Sequence, residues 1–188
     1  AAVVKELVEN SIDAGANSIA VELKNGGQQA ILIRDNGCGI SKADLQLALA
    51  RHATSKIETI DDLTSVASLG FRGEALASIA AVSKLRLTSC AESCSDAWCL
   101  DETLQVLPAA HPQGTSIIVG ELFYNTPARR RFLKKERTEY AKALTVMQRQ
   151  ILANMQVAFS LRHNDRDIFN CATAKSLPEK LQRVALVV

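Results

Sequence analysis

Apolar and polar positions alternate over many short stretches of this chain, and longer stretches with helical spacing lie between them. Residues 1–14 read as a helix closed by Gly15. Two alternating runs, 19–23 and 29–34, flank Asn25-Gly26-Gly27 and predict two strands joined by a hairpin-type turn. Ser41 stands three residues before Asp44, a start signal resembling a capping box, and the helix it opens puts Leu45, Ala48, Leu49 and His52 on one face. Residues 53–73, rich in Thr, Ser and Gly, predict a long, partly ordered loop with a short helix near 61–67. A small-residue helix is expected over 74–82, followed by strands at 84–89, 96–100, 103–107 and 115–122. Residues 136–153 predict an amphipathic helix with Tyr140, Leu144, Met147 and Ile151 on one side. A last strand pair, 157–163 and 166–170, turns at Asn164-Asp165.

Helices and strands do not alternate strictly. This disfavours a doubly wound parallel sheet and predicts an α+β fold, a two-layer sandwich with helices on one face of a mixed β-sheet. The chain has 188 residues, enough for one ordinary domain, expected over 1–175, with 176–188 as the start of a linker to a following domain. The first residues already read as helix, which suggests a true start upstream.

Apolar residues make up 47% and charged residues 22%, the balance of a soluble globular fold. The apolar stretches are too short to cross a bilayer, and no secretory leader opens the chain, so neither a membrane nor secretion is expected; the setting expected is cytoplasmic, a bacterium ahead of a eukaryotic nucleus. Five cysteines without regular spacing argue against a disulfide framework. Cys90, Cys94 and Cys99 precede His111 but contain no Cys-x-x-Cys pair, so they read as small residues in strands or a variable loop. The net charge of +2 says little about partners. Locally, Arg129, Arg130, Arg131, Lys134, Lys135 and Arg137 are opposed only by Glu136; such a run suits a phosphate backbone or a solvated helix start equally well.

The P-loop, the dinucleotide glycine fingerprint, His-Glu-x-x-His and Gly-x-Ser-x-Gly are absent. Four other features carry candidate chemistry. Glu6 and Asn10 are four apart on a helix, with Asp13 near the same stripe; a carboxylate and an amide so spaced can manage a water and a magnesium ion, or simply form a wet helix face. Asp35 ends an apolar strand, where a carboxylate needs donors. The exocyclic amine of adenine is one such donor, and Gly37 and Gly39 would let the backbone approach a flat base; the alternative is a turn in which Asp35 bonds its own backbone. Gly70-Phe71-Arg72-Gly73 precedes a helix start, where backbone N–H groups can cradle an anion. Gly114-Thr115 opens a strand and could close the base pocket.

In order and type these four features match the ATP-binding superfamily that unites gyrase, the heat-shock chaperone, histidine kinases and MutL, the GHKL ATPases. The helix Glu6–Gly15, the run Gly70-Phe71-Arg72-Gly73-Glu74-Ala75-Leu76, Arg51–Lys56 and Phe123-Tyr124-Asn125-Thr126-Pro127-Ala128-Arg129 resemble segments of the MutL family of DNA mismatch-repair proteins, over residues 1 to about 170.

The resemblance implies the Bergerat-type fold and a Mg-dependent, weak ATPase. It implies Glu6 as the base that activates water, Asn10 on magnesium, Asp35 reading adenine with Gly39 beside the base, and Thr115 supporting Asp35 through a shared water. Thr54 and Ser55 would begin a lid, with Lys56 near phosphate, and the segment Gly70, Phe71, Arg72 and Gly73 would hold the phosphates. Arg130, Arg131, Lys134 and Lys135 are candidate DNA contacts, and Asn125-Thr126-Pro127 has a packing role. Expected partners are a mismatch-recognition protein of the MutS type, DNA, a downstream nuclease or helicase, and a second copy on ATP binding. The family's N-terminal arm and the lysine from a following domain lie outside this stretch. Alternatives are a nucleotide-binding matchmaker without significant turnover and a type II topoisomerase ATPase domain.

Overall fold

Odd-numbered residues of the first hairpin leave water, and even-numbered ones stay partly wet. β1 (Ser18–Lys24) buries Ile19, Val21 and Leu23, and β2 (Ala30–Asp35) buries Ile31, Ile33 and Asp35. This period of two means that one sheet face is covered and the other faces solvent. The computed structural model describes residues 1–49, 75–92 and 94–187. Among these, β3 (Lys84–Cys90), β4 (Ala97–Leu100), β5 (Val106–Ala109), β6 (Gly114–Gly120), β7 (Ala158–His163) and β8 (Arg166–Cys171) complete a sheet of order β5-β4-β3-β6-β2-β1-β7-β8. Neighbours are antiparallel except β1 and β7, so the sheet is mixed, as expected.

The covering layer contains α1 (Ala2–Asp13), α2 (Lys42–Leu47), α3 (Ala75–Ala80) and α5 (Glu136–Ala153). α1 lays Val4, Leu7 and Val8 on the sheet, and α5 adds Ala143, Met147 and Ile151. Each large side chain buried there contributes roughly 1.5–3 kcal/mol relative to exposure. Tyr140 and Leu144, expected on the same side of α5, are half-buried at its margin. Ser41 caps α2, its Oγ accepting from the Asp44 N–H at 3.3 Å and donating to Asp44 Oδ2 at 2.6 Å.

Two expectations shift. The strand expected over 103–107 lies at Val106–Ala109, because Asp101 organises the intervening residues into a turn. Its Oδ1 accepts from the backbone N–H groups of Thr103 and Gln105, and Leu104 takes φ +63°. Residues 176–188, read as the start of a linker, contain α6 (Leu177–Val187), which packs on α5 and β8. Arg183 on α6 is buried and donates to the carbonyls of Met155 and Ala172 at 3.0 Å and of Asn154 at 3.3 Å. The short helix expected near 61–67 lies outside the described residues.

The segment after β6 tucks against the end of α3. Asn125 Nδ2 donates to the Ala81 carbonyl at 2.9 Å, and Pro127 opens the short helix α4 (Pro127–Arg130). Asn125 thus ties this segment to the residue that follows α3.

Candidate functional site

The sheet register brings three polar residues into one row on the helix-covered face. Asp35 of β2 pairs with Thr115 of β6, and Thr115 pairs with Ser89 of β3. All three are buried. A carboxylate in such a place must be held by donors. Asp35 Oδ1 accepts from the Gly37 N–H at 2.9 Å and the Thr115 N–H at 3.3 Å, while Oδ2 accepts from Ser11 Oγ on α1 at 2.8 Å. The Gly37 contact is the local turn that one reading of the sequence allowed. The contacts from Thr115 and Ser11 come from distant elements and pin the carboxylate between sheet and helix. Burial pushes the Asp35 carboxyl above its ordinary range; these three hydrogen bonds and the field of His111 oppose the shift without cancelling it.

Behind Asp35 the hydroxyls form a closed set. Ser89 Oγ accepts from the Ile40 N–H at 2.8 Å and lies 2.9 Å from both the Gly114 carbonyl and Thr115 Oγ1. Every group is satisfied when Ser89 donates to Gly114 and Thr115 donates to Ser89, which leaves Thr115 Oγ1 with acceptor capacity to spare. The link from Thr115 to Asp35 in the structure is therefore a direct backbone N–H bond, with the hydroxyl turned to Ser89.

Ser11 places the candidate catalytic residues. Asn10 precedes Ser11 and Glu6 precedes Leu7, so each lies about 100° round α1 from the residues that touch the sheet. Both are half-buried, and neither side chain has a hydrogen-bond partner among the described residues. Glu6 and Asn10 thus stand on the same helix as Ser11, which touches Asp35. Glu9, one turn along, is occupied otherwise: its carboxylate takes Lys5 Nζ at 2.6 Å and Gln150 Nε2 at 2.9 Å.

The glycines after Asp35 serve close packing within the protein. A side chain at Gly37 would strike Ala14, whose carbonyl accepts from the Cys38 N–H at 2.9 Å. Gly39 adopts φ +71°, a region that L side chains rarely enter, and sits against the Cys90 backbone. These contacts hold the loop after β2 across the ends of α1 and β3.

Thr54, Ser55, Lys56, Gly70, Phe71, Arg72 and Gly73 lie outside the described residues. Arg130, Arg131, Lys134 and Lys135 are exposed beside Phe132, and their side chains have no partner among the described residues. Cys90 ends β3, Cys99 lies in β4 and Cys94 is exposed between them. His111 is turned elsewhere, its ring 2.7 Å from Ser116 Oγ and 2.6 Å from the Pro112 carbonyl.

Sequence reasoning missed Ser11 and Ser89. Ser11 had a usable signal, a hydroxyl on the apolar stripe of a helix at the Leu7 position plus four. Ser89 had none, since its role depends on a strand register that sequence does not reveal.

Comparison with known proteins places the chain in a family. Residues 1–114 match the family described as histidine kinase-, DNA gyrase B- and HSP90-like ATPase. The chain is 53% identical to the DNA mismatch repair protein MutL of Haemophilus influenzae strain PittGG and 50% identical to that of Proteus mirabilis strain HI4320. All of this chain is matched in both, but only 30% and 29% of the respective relatives, so it spans less than a third of their length. Among solved structures, the Aquifex aeolicus MutL ATPase domain complexed with ADP superposes with a TM-score of 0.74 at 32% identity, covering 97% of this chain and 67% of that one. The N-terminal domain of a DNA repair protein gives a TM-score of 0.78 at 32% identity, covering 97% and 55%. By the matched family and its likeness to these relatives, the chain belongs to the histidine kinase-, DNA gyrase B- and HSP90-like ATPases, within the MutL group.

Proposed function

We propose that this chain binds ATP at the Asp35 end of the sheet and, in its full-length parent, hydrolyses it slowly to drive mismatch-repair signalling. The observation that carries the reading is the Ser11–Asp35 contact, which joins a buried carboxylate to the helix bearing Glu6 and Asn10. Three donors occupy the Asp35 carboxylate, which offers about four acceptor directions. One direction remains for the exocyclic amine of adenine; guanine presents an acceptor oxygen there and is disfavoured. Thr115 Oγ1 adds a neighbouring acceptor.

The amide of Asn10, without a side-chain partner among the described residues, suits a hard cation, and its oxygen would hold magnesium, which neutralises phosphate charge when bound. Glu6 accepts the proton of the attacking water. Thr54, Ser55, Lys56, Gly70, Phe71, Arg72 and Gly73 are the further residues assigned to nucleotide binding. The nucleotide state governs pairing with a second copy, and with it engagement of a MutS-type protein, DNA and a downstream nuclease or helicase. Arg130, Arg131, Lys134 and Lys135 contact the DNA backbone. A cytoplasmic setting fits this role.

The test is a calorimetric titration of the chain with ATP and GTP, each with magnesium. Binding of ATP at least tenfold tighter than GTP is expected; equal affinity for both, or no heat with either, removes the reading.

A further inference from the structure

We propose that Ser11 is a positioning residue for purine recognition, its hydroxyl holding Asp35 as the anionic acceptor that the adenine amine requires. The purine role rests on the nucleotide reading above; the coupling between the two side chains does not. Ser11 and Asp35 are 4% and 7% exposed, so water does little to hold either. Ser11 Oγ has one proton and two acceptors in reach, Asp35 Oδ2 at 2.8 Å and the Leu7 carbonyl at 3.1 Å. The helix already supplies the Leu7 carbonyl with the Ser11 backbone N–H, so the hydroxyl bond there is dispensable.

Two proton arrangements follow. With Asp35 ionised, Ser11 donates to Oδ2, and the remaining direction on the carboxylate can accept the amine. With Asp35 protonated, Oδ2 donates to Ser11 Oγ and the Ser11 proton turns to Leu7. The direction left on Oδ2 is then the lone pair of a neutral acid O–H, a much weaker acceptor for the amine than the anion. Ser11 favours the first arrangement, because a hydroxyl donating to an anion makes a stronger bond than one donating to a neutral carbonyl.

The ionisable groups on elements packed round Asp35 are Lys5, Glu6, Glu9 and Asp13 on α1, Glu22 and Lys24 on β1, Arg34 on β2, Cys38 in the following loop, Lys84, Arg86 and Cys90 on β3, and His111 before β6. Of these, His111 is the group whose field registers at Asp35, and it favours the anion. It lies outside the Ser11 contact, holding Ser116 Oγ at 2.7 Å.

Ser11→Ala should fold, since alanine suits a helix and no backbone group loses its partner. The Asp35 carboxyl is followed by carbon-13 NMR against pH in the ligand-free chain, and ATP affinity by calorimetry over the same range. In Ser11→Ala the carboxyl midpoint should rise by about one unit, a tenfold change in protonation. The acid limit of ATP binding should rise with it, and Ser11→Thr should restore both. In the unmodified chain the two midpoints should coincide, a check that needs no variant. Identical carboxyl titrations in Ser11→Ala and the unmodified chain would overturn the coupling. A shifted carboxyl with unshifted ATP binding, or with no ATP binding in either protein, would overturn the purine role. In the latter case the nucleotide reading falls too, while the coupling stands.

Discussion

Gln150 of α5 donates to Glu9 of α1 at 2.9 Å, across the packed pair of helices. This bond separates two glutamates that are three residues apart. Glu9 is buried and engaged by Gln150 and Lys5, whereas Glu6 has no partner among the described residues. Glu9→Ala should therefore cost about 1–2 kcal/mol of stability, measured by denaturant unfolding. Glu6→Ala should leave stability nearly unchanged, lower phosphate release by the full-length parent about 10²–10⁴-fold and keep ATP affinity within a few fold. Loss of turnover in both variants at unchanged stability would show that the division between them is wrong.

Asp35→Asn tests the buried carboxylate. An asparagine can accept the Gly37 and Thr115 N–H groups on its oxygen and donate to Ser11 Oγ, whose proton then turns to Leu7. The fold should survive, and ATP binding should weaken about tenfold or more because an acceptor is replaced by a donor. The sign of the pH effect follows from the direction of the shift. Asp35 has a folded pKa raised above its unfolded value, so between the two values the folded state binds more protons. Above the folded pKa the cost of burying the charge is fully felt, and as pH falls through it that cost is relieved. Asp35→Asn should be at least as stable as the unmodified chain at neutral pH, and its advantage should shrink on acidification. Thermal melts across the range read this directly; an advantage that grows as pH falls contradicts it.

Arg183 holds α6 to the domain. Its guanidinium serves the carbonyls of Asn154, Met155 and Ala172 and lies 5.6 Å from the Phe159 ring centre. Burial lowers its pKa, yet an arginine stays charged at any ordinary pH. Arg183→Ala strips donors from three carbonyls and should cost about 3–5 kcal/mol. Arg183→Lys should recover only part, since an ammonium lacks the planar fork. A loss below 1 kcal/mol in chemical unfolding would mean that α6 is held by its other contacts.

The basic tract gives a salt-dependence prediction. If Arg130, Arg131, Lys134 and Lys135 contact phosphates, replacing all four with alanine should reduce the slope of log affinity against log salt by about 3–4. The loss should be similar for unrelated duplex sequences, since phosphate contacts carry no base information. Filter binding at several salt concentrations measures both, and an unchanged slope assigns the tract to a solvated surface.

Strong periodicity made most elements legible. The amphipathic run 136–153 coincides with α5, and the hairpin either side of Asn25-Gly26-Gly27 forms β1 and β2. Local chemistry that competes with periodicity hid others. Asp101 draws residues 103–105 into a turn and delays β5, and a single buried arginine makes a packed helix of residues that read as an exit.

By itself the sequence determined residue types and their spacing: a glutamate and an asparagine one turn apart, and an aspartate ending an apolar strand before two glycines. Those follow from helix and strand periods, which are local. Only tertiary structure decided that Ser11 and Thr115 join the local Gly37 N–H in holding Asp35, that Ser89 and Thr115 stand in register beside it, and that Gln150 engages Glu9 while Glu6 has no partner among the described residues. Each of those depends on contacts between residues 24 to 141 positions apart, which no local period encodes.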